Sequence, residues 1–293
     1  MLRSLLSRIF PWFGESHPVV SVIRLTGPIG ATGATGGLRR GLSLATVAKQ
    51  IEHAFSIGGL KAVALAINSP GGSPVQSALI VKRIRDLAKE KDVPVVAFAE
   101  DVAASGGYML ALAGDEIYVH EASIVGSIGV VAGGFGFPDA IKKLGIERRL
   151  YTAGDRKAML DPFSPEKEED VKRLGELQKD MHEYFKKIVR DRRGRRLKGA
   201  RTKLFSGDVW LGGDAVKLGL VDGIGDLRSV MRERFGKKVR LKVMQPRRSR
   251  LGMLFGMRGR EMDEMPDGRM SLGLGDELLA AVEDRLMWSR WGL

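Results

Sequence analysis

The sequence contains no cysteine, which excludes disulfides, thiolate metal sites and a cysteine nucleophile. It has only four histidines, His17, His53, His120 and His182. They are scattered without the spacing of a zinc site, so no metal is expected. Aromatic residues make up 6% of the chain and form no stacking platform or recognition motif, which argues against nucleic acid as a partner. Long apolar runs are also missing, since a helix needs about 20 such residues to cross a bilayer. The opening MLRSLLSRIFPWFGESHP is broken by Arg3 and Arg8 and is not read as an export signal.

Positive charge and glycine are abundant. Forty-eight Lys and Arg against 35 Asp and Glu leave a net charge of +13 over 293 residues. The charge gathers in DRRGRRLKGARTK (191–203) and in GKKVRLKVMQPRRSRLGMLFGMRGR (236–260). Solvated helix ends and a basic arm account for most such clusters. Met253, Leu254, Phe255 and Met257 lie among the arginines of the second, a composition attracted to an anionic membrane surface. Leu2, Leu5, Leu6, Ile9 and Phe10 share one helical face, and the C-terminal GDELLAAVEDRLMWSRWGL ends in Trp288 and Trp291. Either end suits interfacial binding or docking on the domain. The 38 glycines fall mostly at strand-to-helix junctions and read as tight turns.

Strand and helix signals alternate from residue 19. VVSVIRLTG (19–27), KAVALAI (61–67), VPVVAFA (93–99), EIYVH (116–120) and IERRLYT (146–152) read as strands. LATVAKQIEHAF (44–55), VQSALIVKRIRDLAKEK (75–91) and FPDAIKKLG (137–145) read as helices. A long amphipathic helix follows, with Ser164 as its cap and Pro165 in its first turn. LFSGDVWLGGDAVKLGLVDGIGDL (204–227) adds one more helix and turn. This alternation predicts an α/β domain with largely parallel strands over 19–240. An amphipathic segment, 1–18, precedes it, and a basic, Met- and Gly-rich tail with an amphipathic end, 241–293, follows.

Three small-residue turns follow predicted strands: INSPGGS (67–73), AASGGY (103–108) and IVGSIGV (124–130). Two such turns at neighbouring strand ends can aim backbone N–H groups at one point, as an oxyanion requires. Singly, a Gly-Gly turn only permits positive φ. Ser105 is therefore either the N-cap of the next helix or a nucleophile beside the N–H of Gly106, although the G-x-S-x-G elbow is absent. A nucleophilic serine needs a base. His120 ends a strand beside Glu121 and is expected to face outward. Lys157, in YTAGDRKAMLDPFSP (151–165), stands between Arg156 and Ala158, Met159 and Leu160. Desolvation or cationic neighbours make a lysine amine neutral enough to act as a base. By spacing alone Lys157 is a surface residue.

INSPGGS, AASGGYMLALAGDEIYV, SIVGSIGV, GDRKAMLDPFSP and LFSGDVWLGGDAVKLGLVDGIG, in this order, resemble the signal peptide peptidase A (protease IV) family over residues 19–230. The resemblance implies a ClpP/crotonase-like α/β fold of repeated ββα units. It also implies a serine endopeptidase with a Ser-Lys dyad, acting without cofactor or metal on remnant signal peptides or other membrane-derived peptides. Carried over, it makes Ser105 the nucleophile and Lys157 the general base. Gly72 and Gly106 would form the oxyanion hole, with Gly71 the less suited donor of its pair, and Ser127 would orient the lysine amine. The single catalytic unit resembles the half-length type, whose ring places serine and lysine of adjacent protomers in one site. A homo-oligomer, an octamer, is therefore expected. The usual N-terminal membrane-spanning helix is missing, so a peripheral protein on the cytoplasmic side of the membrane is expected. Two rivals stay open. One is a crotonase-type acyl-thioester enzyme, with Glu100 and Asp101 close to the serine; the other is a catalytically idle membrane-associated scaffold.

Overall fold

The computed structural model describes residues 17–30, 41–154, 156–244, 285 and 287–292. Strand β1 (Val19–Thr26) leads to helix α1 (Leu44–Phe55), β2 (Leu60–Ser69) to α2 (Pro74–Lys91), and β3 (Val95–Ala104) to the short α3 (Gly106–Ala111). β4 (Glu116–Val119) and β5 (Ile124–Gly126) follow, then α4 (Pro138–Lys143) and the long α5 (Glu168–Arg193). The domain closes with α6 (Arg201–Leu204), β6 (Val209–Leu211), α7 (Gly212–Lys217), β7 (Gly223–Ile224), α8 (Leu227–Phe235) and β8 (Arg240–Val243).

These strands form one eight-stranded sheet in the order β6-β5-β3-β2-β1-β8, with β4 beside β3 and β7 beside β4. All the pairings are parallel except β5 with β6. The three central strands are buried on both faces, as parallel strands between two layers must be. Ile23, Leu25, Val63, Leu65 and Ile67 pack against Ile51 of α1 and Ile80 and Ile84 of α2. Val20, Val22, Ala62, Ala64, Ala66, Val96 and Phe98 meet Met231 of α8 on the other face. Each fully buried Ile or Leu contributes about 1.5–3 kcal/mol relative to exposure. The helix starts are set by sequence. Ser43 and Thr46 make a reciprocal capping box on α1, while Ser73 caps α2 ahead of Pro74.

Two expected elements differ. Residues 146–152 are not a strand: Ile146, Leu150 and Tyr151 are exposed and no neighbouring strand offers them a ladder. β-branched and aromatic residues without a partner do not make a strand. Ser164 does not cap the long helix, because its hydroxyl donates to Asp161 at 2.9 Å. α5 starts instead after Lys167, with Glu168, Glu169 and Asp170 in its first turn, where the helix dipole favours acid. β8 pairs with β1 and so carries the sheet across residue 240. The amphipathic opening segment and most of the basic tail lie outside the described residues. No described helix is long and apolar enough to cross a membrane.

Candidate active site at the ends of three strands

β2, β3 and β5 end together, and the three small-residue turns follow them. β3 pairs with β5 up to Ala104 and Gly126. Ser105 comes next, at φ +53° and ψ −120°, a conformation disfavoured for a residue with a Cβ and one that surrounding structure must enforce. Its N–H donates to Gly126 O at 2.8 Å, and its carbonyl accepts from Met109 N at 3.0 Å. The hydroxyl makes no capping bond to α3, so the cap reading of Ser105 fails. α3 is held instead by complete burial of all six residues, and Tyr108 Oη donates to Leu220 O at 2.7 Å.

The β2 turn lies against this serine. A Cβ added to Gly71 would stand 2.8 Å from Ser105 Cβ and 2.9 Å from Gly106 N. Gly71 O accepts from Ile29 N, and Ile29 O from Ser73 N, so the segment after β1 braces the turn. Gly72 has φ +137°, and a Cβ there would fall 1.9 Å from Ile29 O. A Cβ on Gly106 would lie 3.3 Å from Gly72 N. The backbone nitrogens of Gly72 and Gly106 thus lie close together beside Ser105, and neither N–H donates to a described residue. Ile29 and Ser77, which sequence reasoning missed, border the same space, with Ser77 Oγ 2.6 Å from that Gly106 Cβ position. The small-residue turn TGPIG after β1 was the available signal for Ile29.

Ser127 sits one residue beyond Gly126, half-buried, at φ +52°. Its N–H donates to Asp208 O at 2.7 Å, and His182 of α5 reaches the next carbonyl, Ile128 O, at 3.0 Å. Lys157 is placed differently. It lies in an exposed turn, its N–H bonded to Gly154 O at 3.1 Å. Within one chain its amine bonds to neither Ser105 nor Ser127 nor any other described residue. It belongs to an arm, 131–169, in which no described residue is buried. Phe135, Phe137 and Phe163 lie ring to ring along that arm, at 6.2 and 5.9 Å.

The other candidates lie elsewhere. His120 is exposed, and its Nδ1 accepts from Ala122 N at 3.1 Å. With Glu100 and Asp101 it lines a groove of about 680 Å³ that Ser105 does not border. Glu100 pairs with Arg24 at 3.4 Å, and Asp101 accepts from Asn68 at 2.6 Å. Gly71, Gly72 and Gly106 do not border the groove that these carboxylates line. Among the described residues no group of His, Asp or Glu could hold a metal ion.

Comparison with known proteins agrees with this architecture. The profile of peptidase family S49 matches residues 87–240, and the chain belongs to that family. Its mixed α/β fold is the ClpP-like fold of the family. A putative signal peptide peptidase SppA of Enterococcus faecium is 31% identical over 217 residues, covering 72% of this chain and 61% of that protein. A Brucella abortus protein named Na(+)/H(+) antiporter NhaA is 50% identical over all 293 residues, of which this chain spans 39% of the length. A solved membrane-bound stomatin-specific protease with a substrate peptide superposes with a TM-score of 0.49 at 13% identity, over 80% of this chain and 94% of that one.

Proposed function

We propose that the chain is a serine endopeptidase in which Ser105 is the nucleophile and Lys157 of an adjacent subunit is the general base. One observation supports the reading: the backbone nitrogens of Gly72 and Gly106, neither donating to a described residue, lie close together beside a serine held at positive φ whose hydroxyl bonds to no described residue. A structural cap would use that hydroxyl, and a merely permissive turn does not account for two donors without a described partner beside it.

In the reaction the Lys157 amine takes the Ser105 proton as Oγ bonds to the scissile carbonyl carbon. The carbonyl electron pair moves to oxygen, where the Gly72 and Gly106 N–H groups meet it, each worth about 3 kcal/mol. Collapse breaks the C–N bond, and the lysine ammonium protonates the departing amine. Water, deprotonated by the same amine, then attacks the acyl carbon, and the lysine ammonium returns that proton to Ser105 Oγ as the carboxyl product leaves. Ser127, at the next strand end, accepts from the lysine and orients it. No cofactor or metal enters the scheme.

The exposed arm supports a site shared between subunits, because it holds Lys157 without a described side-chain partner together with exposed apolar side chains. We assign a homo-oligomeric ring, an octamer by family resemblance. Its substrates are remnant signal peptides or other membrane-derived peptides, and its place is peripheral, on the cytoplasmic side of a membrane. The test is cleavage of a quenched apolar peptide by wild type, Ser105→Ala, Lys157→Ala and a mixture of the two variants. Both single variants are expected to be inactive, with activity returning on subunit exchange in the mixture. A fully active Lys157→Ala would remove the base assignment. A wild type that cleaves nothing would move the reading to the thioester enzyme or the scaffold.

A further inference from the structure

Between β2 and β3 the parallel register breaks. Ile67 pairs with Ala99, but the next pair is Ser69 with Ala103. Two residues advance on β2 against four on β3, so Glu100, Asp101 and Val102 together face Asn68. Because the insertion is of two residues, inward and outward alternation survives, and Ala97, Ala99 and Ala103 all join the same core. What changes is level. Regular pairing would set Ala103 opposite Gly71 and carry Ser105 beyond Gly72. The bulge draws the end of β3 back by two residues, about 6–7 Å, and so brings Ser105 level with Gly71 and the donor turn.

The bulge has no ladder of its own, and one side chain stands in for it. Asn68 Oδ1 accepts from Val102 N at 3.2 Å, and its Nδ2 donates to Asp101 Oδ2 at 2.6 Å. On the far side Ser123 Oγ donates to Glu100 O at 2.5 Å while accepting from His120 N at 3.0 Å. The break also lies where the neighbour of β3 changes from β4 to β5. Bulges beside active sites commonly re-aim the residues that follow.

We propose that Asn68 is a positioning residue for Ser105, setting its level against the Gly72 and Gly106 donors by holding this bulge. The inference rests on Ser105 being the nucleophile. It is tested by Asn68→Ala, Asn68→Asp, Asp101→Asn and the double exchange Asn68→Asp/Asp101→Asn, with peptide cleavage and thermal unfolding measured for each. Asn68→Asp sets two carboxylates against each other. In the double exchange the amide at 101 donates to the carboxylate at 68, whose other oxygen still accepts from Val102.

Misplacement by about 1 Å costs on the order of a hundredfold in rate, so kcat of Asn68→Asp and Asn68→Ala is expected to fall by about that much with KM little changed. The double exchange recovers most of the loss. Wild-type kcat in both Asn68 variants, or a double exchange no better than Asn68→Asp, would overturn the inference. Ser105→Ala is the control. If it is inactive while Asn68→Asp is normal, only the role of Asn68 fails. If Ser105→Ala cleaves like wild type, the proposed function fails and this inference with it.

Discussion

Ser105 and Ser127 leave neighbouring parallel strands one residue beyond the paired Ala104 and Gly126, and both take positive φ, +53° and +52°. Each is pinned by its own N–H, Ser105 to Gly126 O at 2.8 Å and Ser127 to Asp208 O at 2.7 Å. Strain of the same kind at two adjacent strand ends is costly for L residues, of order 1–3 kcal/mol each. Glycine would relieve it at either position. The retained side chains therefore point to work for both hydroxyls.

From this pair follows the first prediction. Ser127→Ala and Ser127→Gly are expected to lower kcat by about tenfold to a hundredfold, part of what a positioned base supplies. The glycine variant suits the backbone, so it should unfold at a temperature no lower than that of wild type. Equal activity in wild type and Ser127→Gly would remove the serine from the proposed lysine network.

The donor turn gives the second. At Gly72 an added Cβ would stand 1.9 Å from Ile29 O, and that carbonyl also holds Ser73 N at 2.7 Å. The turn must shift to admit any side chain. Gly72→Ala is expected to lose about a hundredfold to a thousandfold in kcat, as loss of an oxyanion donor does, and to melt earlier. Gly106→Ala meets Ser77 Oγ at 2.6 Å, a buried hydroxyl bonded to Ser73 O, and stands 3.3 Å from Gly72 N, a milder clash than the backbone carbonyl at Gly72, so it should destabilise less while still losing rate. Activity in Gly72→Ala close to wild type would place the oxyanion donors elsewhere.

The order of strands, helices and glycine turns was legible because apolar periodicity and small-residue punctuation mark them directly. The bulge was not. Strand signals in VPVVAFA stop at residue 99, whereas β3 runs on through Glu100 and Asp101 to Ala104, and a two-residue insertion leaves the in-out pattern of its alanines intact. Asn68 consequently looked like an ordinary turn residue. The arm misled in a different way: IERRLYT has strand composition, but Ile146, Leu150 and Tyr151 are exposed and no described strand pairs with the segment. Lys157 could be singled out by family resemblance, whereas its exposure on a segment without buried residues depends on how that segment folds. The acidic run EKEED was the better signal for the start of α5 than Ser164, which turns back to Asp161.

Asp222 supplies a pH prediction. It accepts from Arg193 at 2.7 and 3.1 Å, from Arg196 at 3.2 Å and from Ile117 N at 2.8 Å. Burial alone would raise its carboxyl, but the hydrogen bonds and charges of the arginines, with the Ile117 N–H, outweigh that and hold it below the ordinary aspartate value. A depressed folded value means that the stabilisation is complete above the unfolded value and is lost as pH falls through the folded one. The stability gap between wild type and Asp222→Asn should therefore be widest near neutrality and close on acidification. Asp222→Ala strands the Arg193 side chain, only 2% exposed, at a cost of about 3–5 kcal/mol. Denaturant unfolding across the acid range checks both. A gap independent of pH would show that the pair is held by geometry and not by charge.

The arm supplies the last prediction. Tyr151 is 89% exposed, Phe135 80% and Leu144 72%, on a segment whose described residues are nowhere buried. Exposed apolar surface on this scale is normally covered in a working protein, and under the proposed shared site a second copy of the chain would both cover it and deliver Lys157. Specific activity should then rise with protein concentration as subunits associate. Tyr151→Asp places a charge in the contact, so it is expected to sediment as a smaller species and to lose cleavage. The body keeps its melting temperature, because Tyr151 makes no part of the core. A variant that stays assembled and active would place the contact on another face of the arm. A wild-type monomer with full specific activity would mean that Ser105 finds its base within one chain, and the shared site would have to be abandoned.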